Sequence, residues 1–149
     1  MNHRIKREVS LYGTNQSIFD FIPHFYSGVD SSAEYLKKNH YFKPIGEHCY
    51  IQPWNLGTEP YLISFGENVR IASGVVFANH DITALMFRYM DKIPDYQERK
   101  GPISIGDNDF VSANTTILYD VNIGNNVIIG AGSLVNKDIP DGTVAAGVP

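Results

Sequence analysis

The sequence has 149 residues and a net charge of −4, with 12 Lys and Arg against 16 Asp and Glu. This length suits one domain with a single core, and the acidic balance argues against nucleic acid as the main partner. No apolar run approaches the ~18 residues of a membrane span, and none follows the basic start at Arg4, Lys6 and Arg7. Neither a membrane span nor a signal peptide is therefore expected, and the lone Cys49, unable to form an internal disulfide, fits a cytoplasmic setting.

Residues 1–44 read as an N-terminal cap segment. Ser31-Ser32-Ala33-Glu34 resembles a capping box ahead of Tyr35-Leu36-Lys37-Lys38, so a short helix should start near Ser32. Phe19, Phe21, Phe25, Tyr26, Tyr35, Tyr41 and Phe42 should pack this cap over the end of the domain that follows, covering an otherwise open sheet edge. Pro44 closes the segment.

From residue 45 a period of six takes over. It is clearest at Ile105, Val111, Ile117, Ile123, Ile129 and Val135. Helices repeat near 3.6 and strands at 2, so six belongs to neither. Ile, Leu and Val make up 34 of 149 residues, so six hits in one register arise by chance on the order of once in several thousand. The pattern predicts a parallel β-helix of hexapeptides, an all-β fold, over residues 45–149.

Further back, Ile45 and Ile51 form one group and Phe65, Ile71 and Phe77 another. The step of 14 from Ile51 to Phe65 is not a multiple of six, so 52–60 is an excursion. Phe77 to Ile105 spans 28 residues, which leaves 22 as an insertion once one hexapeptide is counted. The arm 78–104, which contains this insertion, carries Met86, Phe87, Tyr89, Met90 and Tyr96 and should be ordered. Gly after the core residue (Gly46, Gly66, Gly106, Gly124, Gly130) and Asn or Asp at turn positions suit sharp, left-handed corners. Residues four after the core position (Val69, Val75, Thr115, Val121, Val127, Ser133) are small or β-branched. Asp109 breaks that series and should not point inward unpaired.

His80 stands where the repeat breaks and the arm departs, at the coil surface. An imidazole there suits a general base near neutral pH; a hydrogen-bonded loop histidine is the plainer alternative. Asn79 and Asp81 flank it and could orient it, hold an acceptor or merely form the corner. Trp54 and Asn55, in the excursion, could line an acceptor pocket or pack. His3, His24, His40 and His48 are scattered and show no spacing that calls for a metal, so no metal is expected. Cys49, beside Ile51, reads as a packed thiol. No Walker loop or dinucleotide-binding glycine motif is present.

The run from Ile123 to Pro149 (IGNNVIIGAGSLVNKDIPDGTVAAGVP) resembles the C-terminal signature of hexapeptide-repeat acyltransferases. Ile71-Ala-Ser-Gly-Val-Val-Phe-Ala-Asn-His-Asp81 resembles the segment ending at that superfamily's catalytic histidine, most closely in the maltose, galactoside and xenobiotic acetyltransferases. The resemblance covers roughly residues 45–149. It implies a left-handed β-helix, although ordinary parallel crossovers are right-handed. It also implies a homotrimer with active sites between subunits, and acetyl-CoA as co-substrate. The acceptor would be a sugar or polysaccharide hydroxyl, with His80 as base. Phe110 takes a place where related enzymes often carry Trp near the acceptor. Ala113, Gly130 and Ala131 match small residues that keep the CoA groove open. Asn136 and Lys137 would lie near the nucleotide end, where Lys137 could neutralise a phosphate. In the family a further strand or helix commonly follows Gly147-Val148-Pro149. N-acetylation of an amino sugar and a non-catalytic hexapeptide scaffold are the alternatives. A γ-type carbonic anhydrase is disfavoured because only His80 lies within the central repeat.

Overall fold

A computed structural model describes residues 31–53, 55–90 and 96–148. Phe19, Phe21, Phe25, Tyr26 and Trp54 lie outside the described residues.

Helix α1 spans Ser31–Lys38. It turns Ala33 and Leu36 into the core, and Phe42 follows it inward. The Phe42 ring meets Phe65 edge-on at 5.1 Å, and Phe65 meets Phe77 at 5.9 Å, so an aromatic column fills the end of the coil beneath the helix.

The β-helix then winds through three faces in turn. The first face stacks β2 (Ile63–Phe65), β7 (Ile103–Ile105) and β10 (Val121–Ile123). The second stacks β1 (Tyr50–Ile51), β3 (Arg70–Ile71), β8 (Phe110–Val111), β11 (Ile128–Ile129) and β13 (Val144–Ala145). The third stacks β4 (Val76–Ala78), β9 (Thr116–Leu118) and β12 (Leu134–Val135). Every pairing within these faces is parallel.

Side chains at the six-residue positions point inward because each short strand alternates its faces. Ile51, Ile71, Val111, Ile117 and Ile129 are fully buried, and Ile45, Phe65, Phe77, Ile105, Ile123 and Val135 nearly so. Burial of each such side chain stabilises the coil by about 1.5–3 kcal/mol. The repeat continues past Val135. Ile139 bridges to Ile123, and β13 pairs with β11, so the last corner is two residues shorter and the coil goes on.

The corners divide the work between two residue types. At most corners the third residue after the core position is left-handed: His48, Asn68, Gly74, Asn108, Asn114, Asp120, Asn126, Gly132 and Gly142. Asn and Gly tolerate that conformation at least cost. The glycines directly after the core positions have a different reason. A Cβ on Gly66 would lie 2.1 Å from Asp107 Oδ1 and 2.7 Å from the Gly106 carbonyl oxygen, so stacking of coils, not left-handed backbone, demands glycine there. Asn114→Ala should therefore cost about 1 kcal/mol and Asn114→Gly almost nothing, as read from denaturant midpoints; equal losses would count against the corner argument.

His80 is the third residue after Phe77, where the rule calls for a left-handed corner. Instead it enters β5 (His80–Asp81), and the chain leaves the coil. Helix α2 (Thr83–Tyr89) follows, and β6 (Arg99–Lys100) returns antiparallel to β5. The Phe87 and Tyr96 rings pack at 4.7 Å within the described part of the arm. Among the described residues no helix is long and apolar enough to cross a membrane.

Candidate active site

The excursion replaces the third-face hexapeptide of the first coil. Asn55 Oδ1 accepts the Gly57 amide at 3.0 Å, and Gly57 is left-handed at φ 75, which turns the chain back. Asn55 is thus a turn former. Pro60 opens a single 3-10 turn, Pro60–Leu62, whose Leu62 amide donates to the Glu59 carbonyl at 2.9 Å. This path brings Thr58 and Glu59 against His80.

Both polar contacts of His80 fall on one ring nitrogen. Nδ1 lies 2.9 Å from Glu59 Oε2 and 2.9 Å from Thr58 Oγ1. The Thr58 hydroxyl donates to the same Glu59 oxygen, leaving its own oxygen to accept. Two acceptors around Nδ1 assign the proton to Nδ1 and leave the Nε2 lone pair available. The His80 side chain is 30% exposed.

Glu59 is 8% exposed. Burial pushes its carboxyl up, but the Thr58 hydroxyl, His80 and Lys100 together outweigh burial and hold it below the usual range. Lys100 Nζ lies 3.4 Å from Glu59 Oε1, and this contact raises the Lys100 ammonium. A carboxylate kept ionised beside Nδ1 can fix the ring and would stabilise an imidazolium if Nε2 took a proton. Glu59→Gln should lower turnover roughly tenfold at unchanged acetyl-CoA affinity; the test is single-turnover thiol release, and an unchanged rate would remove Glu59 from the site.

Asn79 turns inward. It is 1% exposed, and its Nδ2 donates to the Glu59 carbonyl at 2.6 Å. Its own carbonyl accepts the Gly101 amide at 3.0 Å. It therefore ties the excursion and the returning arm to the corner. Asp81 performs turn duty too: Oδ1 accepts the Thr83 amide at 2.7 Å where α2 begins, and that bond lowers its carboxyl.

The other predicted residues separate into two groups. Asn136 and Lys137 follow β12 at the edge between third and first faces. The register Phe77–Ile117–Val135 stacks them two coils above Ala78 and Asn79, about 10 Å away at the usual strand spacing. They line a pocket of about 230 Å³ with Ala146, Gly147 and Val148. Ala113, Gly130 and Ala131 lie at the other end of the third face, at its edge with the second. The Ala113 carbonyl accepts the Gly132 amide at 2.9 Å. Gly130 has a structural reason to be small, because a Cβ there would approach Ala146 Cβ to 2.8 Å. Its amide already donates to Ala145, and its carbonyl already accepts from Ser133 and Thr115. Phe110 faces outward from the second face, 42% exposed, between Arg70 and Ile128. One chain does not bring Phe110 or the Ala113 edge onto the edge that carries His80.

Sequence reasoning missed Thr58, Glu59 and Lys100. Glu59 is the one acidic residue of the 52–60 excursion, and Arg99-Lys100 is the basic pair just before the coil resumes; both sit beside breaks in the period, which is the signal that could have found them. Cys49 is buried, with Sγ 3.1 Å from the Gly66 carbonyl, and burial pushes its thiol up, the profile of an inert packed thiol. His40 and His48 occupy left-handed turns. Among the described residues no group of three or more His, Cys, Asp or Glu is gathered to hold a metal ion.

No family model matches the chain. A galactoside O-acetyltransferase of Lactococcus lactis is 35% identical over 144 residues, covering 80% of this chain and 65% of the relative. Another, from Escherichia coli, is 33% identical over 132 residues, covering 72% and 61%. A hexapeptide-repeat acetyltransferase of Vibrio cholerae, solved with acetyl-CoA, superposes with a TM-score of 0.59 at 18% identity, covering 89% of this chain and 81% of that one. The chain belongs to the hexapeptide-repeat acyltransferase superfamily. The shared fold is the left-handed β-helix, the hand that strand order alone leaves open. The chain spans less than two thirds of the length of these galactoside acetyltransferases.

Proposed function

We propose that this chain transfers the acetyl group of acetyl-CoA to a hydroxyl of a sugar or polysaccharide, with His80 as general base. One observation carries the reading: Glu59 and Thr58 both hold Nδ1, which leaves the Nε2 lone pair without a partner among the described residues. In this mechanism Nε2 takes the acceptor's proton as its oxygen attacks the thioester carbonyl. The tetrahedral adduct then collapses, the C–S bond breaks, and the imidazolium returns the proton to the departing sulfur. Glu59 remains ionised throughout and offsets the transient positive charge.

A homotrimer is part of the proposal. With the Ala113 edge and the His80 edge apart in one chain, a cleft between neighbouring subunits is the arrangement that uses both. Lys137, on the His80 edge, would meet a phosphate of the nucleotide. The relatives' printed activity, galactoside O-acetylation, supports a carbohydrate hydroxyl as acceptor. The proposed setting is the cytoplasm, where Cys49 stays reduced.

Titration calorimetry with CoA tests the first half of this reading, and a panel of sugar hydroxyls and amines with a free-thiol readout tests the second. Specific CoA binding and thiol release with a hydroxyl acceptor are expected. No CoA binding would leave only a scaffold role, and release with amines alone would move the activity to N-acetylation.

A further inference from the structure

We propose that Lys100 is a positioning residue that locks the Glu59 carboxylate onto His80, so that the return strand of the arm completes the base. This inference rests on the reading of His80 as the base. The ribbon β5–β6 sets His80 opposite Lys100 and Asp81 opposite Arg99. Lys100 thereby reaches across to Glu59 Oε1 at 3.4 Å while Oε2 stays 2.9 Å from His80 Nδ1. A carboxylate turns easily about its last bond, because that torsion is broad and two-fold. The Lys100 ammonium on Oε1, with the His80 N–H and the Thr58 hydroxyl on Oε2, removes that freedom. Without Lys100, a nearly buried oxygen would lose its charge partner, and the carboxylate would turn toward solvent or take up a proton.

Neighbouring charges cannot substitute for it. Arg99 is held by Asp120 at 3.3 Å and stacks over Tyr119 at 4.8 Å. Arg88 faces Glu98 at 3.8 Å. Glu98 also approaches Lys100 Nζ at 3.7 Å and steadies it from the arm side. The Asn79 carbonyl bond to the Gly101 amide fixes the strand immediately after Lys100. The arm is therefore a working part of the site: its root carries the third member of a Lys100–Glu59–His80 chain.

The test compares the full-length protein with Lys100→Met and Lys100→Arg. Proton spectra in water should show a downfield imidazole N–H resonance in the wild type, assigned to His80 by its loss in His80→Asn. Lys100→Met should lose that resonance and lower kcat roughly threefold to tenfold with KM for acetyl-CoA unchanged. Lys100→Arg should retain both, since the charge is kept. Matching thermal midpoints establish that each variant folds. A resonance that persists in Lys100→Met overturns the proposal, as does its absence from the wild type. Loss of the resonance with unchanged kcat supports the positioning by Lys100 and instead overturns His80 as the base.

Discussion

Replacing His80 with Ala should lower turnover by a factor of about 10²–10⁴. The size follows from what is lost. Acceptor hydroxyls are far too weakly acidic to attack as alkoxides near neutrality, and the imidazole proposed as base is removed. Glu59 is a poor replacement: it lies behind the ring, its carboxyl is held below the usual range, and a weak base in the wrong place accepts little of the proton in the transition state. The fold should survive. His80 is outside the buried core cluster, and Lys100 still neutralises Glu59 once the ring is gone. Acetyl-CoA affinity should also persist, because the residues expected to hold it lie on the other edge or two coils away. The measurement is the thiol-release rate at saturating acetyl-CoA, alongside calorimetry and a thermal melt of the same sample. Turnover within a few-fold of wild type would sink the mechanism, whereas loss of turnover together with loss of the melt would point to folding.

The period from Ile105 to Val135 made the coil legible because inward positions in a stacked coil recur with fixed spacing, whatever lies on the surface. His80 was legible for the opposite reason: it stands where the spacing fails. Glu59 was hidden, since its contact with His80 depends on how Gly57 and the Pro60–Leu62 turn route the excursion over the third face, and no period records that route. Lys100 was hidden because the register of β5 on β6 is set by the arm between them. Gly130 shows a second kind of limit. A small residue kept for close stacking and one kept for an open groove look the same in a sequence, and only the 2.8 Å approach to Ala146 separates them. Asn79 likewise reads as a polar neighbour of the base, yet the alternation of β4 turns it inward, where it binds the excursion.

Asp109 is the other place where composition and position conflict, and it leads to a prediction about stability. It occupies an inward position between Val69 and Val127, and an inward position buries whatever side chain stands there. Asp109 is 2% exposed; Oδ1 accepts the Val127 amide at 2.7 Å, and Oδ2 has no hydrogen-bond partner among the described residues. The expectation that an acid here would not point inward unpaired is thus half met: it points inward, with one oxygen paired. Burial pushes its carboxyl up to about 6, against the Val127 and Gly106 amides, with Asp107 and Asp141 adding to the rise. A raised folded value means that the carboxyl's favourable share of stability is fully present below the unfolded value near 3.8 and is lost as pH climbs through about 6. Glu47, Glu59 and Asp81 are lowered and act in the opposite sense, losing stability as pH falls. Only a difference between variants isolates Asp109. Asp109→Asn keeps an acceptor for the Val127 amide and never ionises. Its stability relative to wild type should therefore improve by about 2 kcal/mol between pH 4.5 and pH 7.5. At the lower pH its unpaired amide hydrogens should leave it no better than wild type. Denaturant midpoints at the two pH values measure the change. A constant difference across the range would mean that Asp109 stays charged within the coil, and that solvent reaches an oxygen buried by the packing.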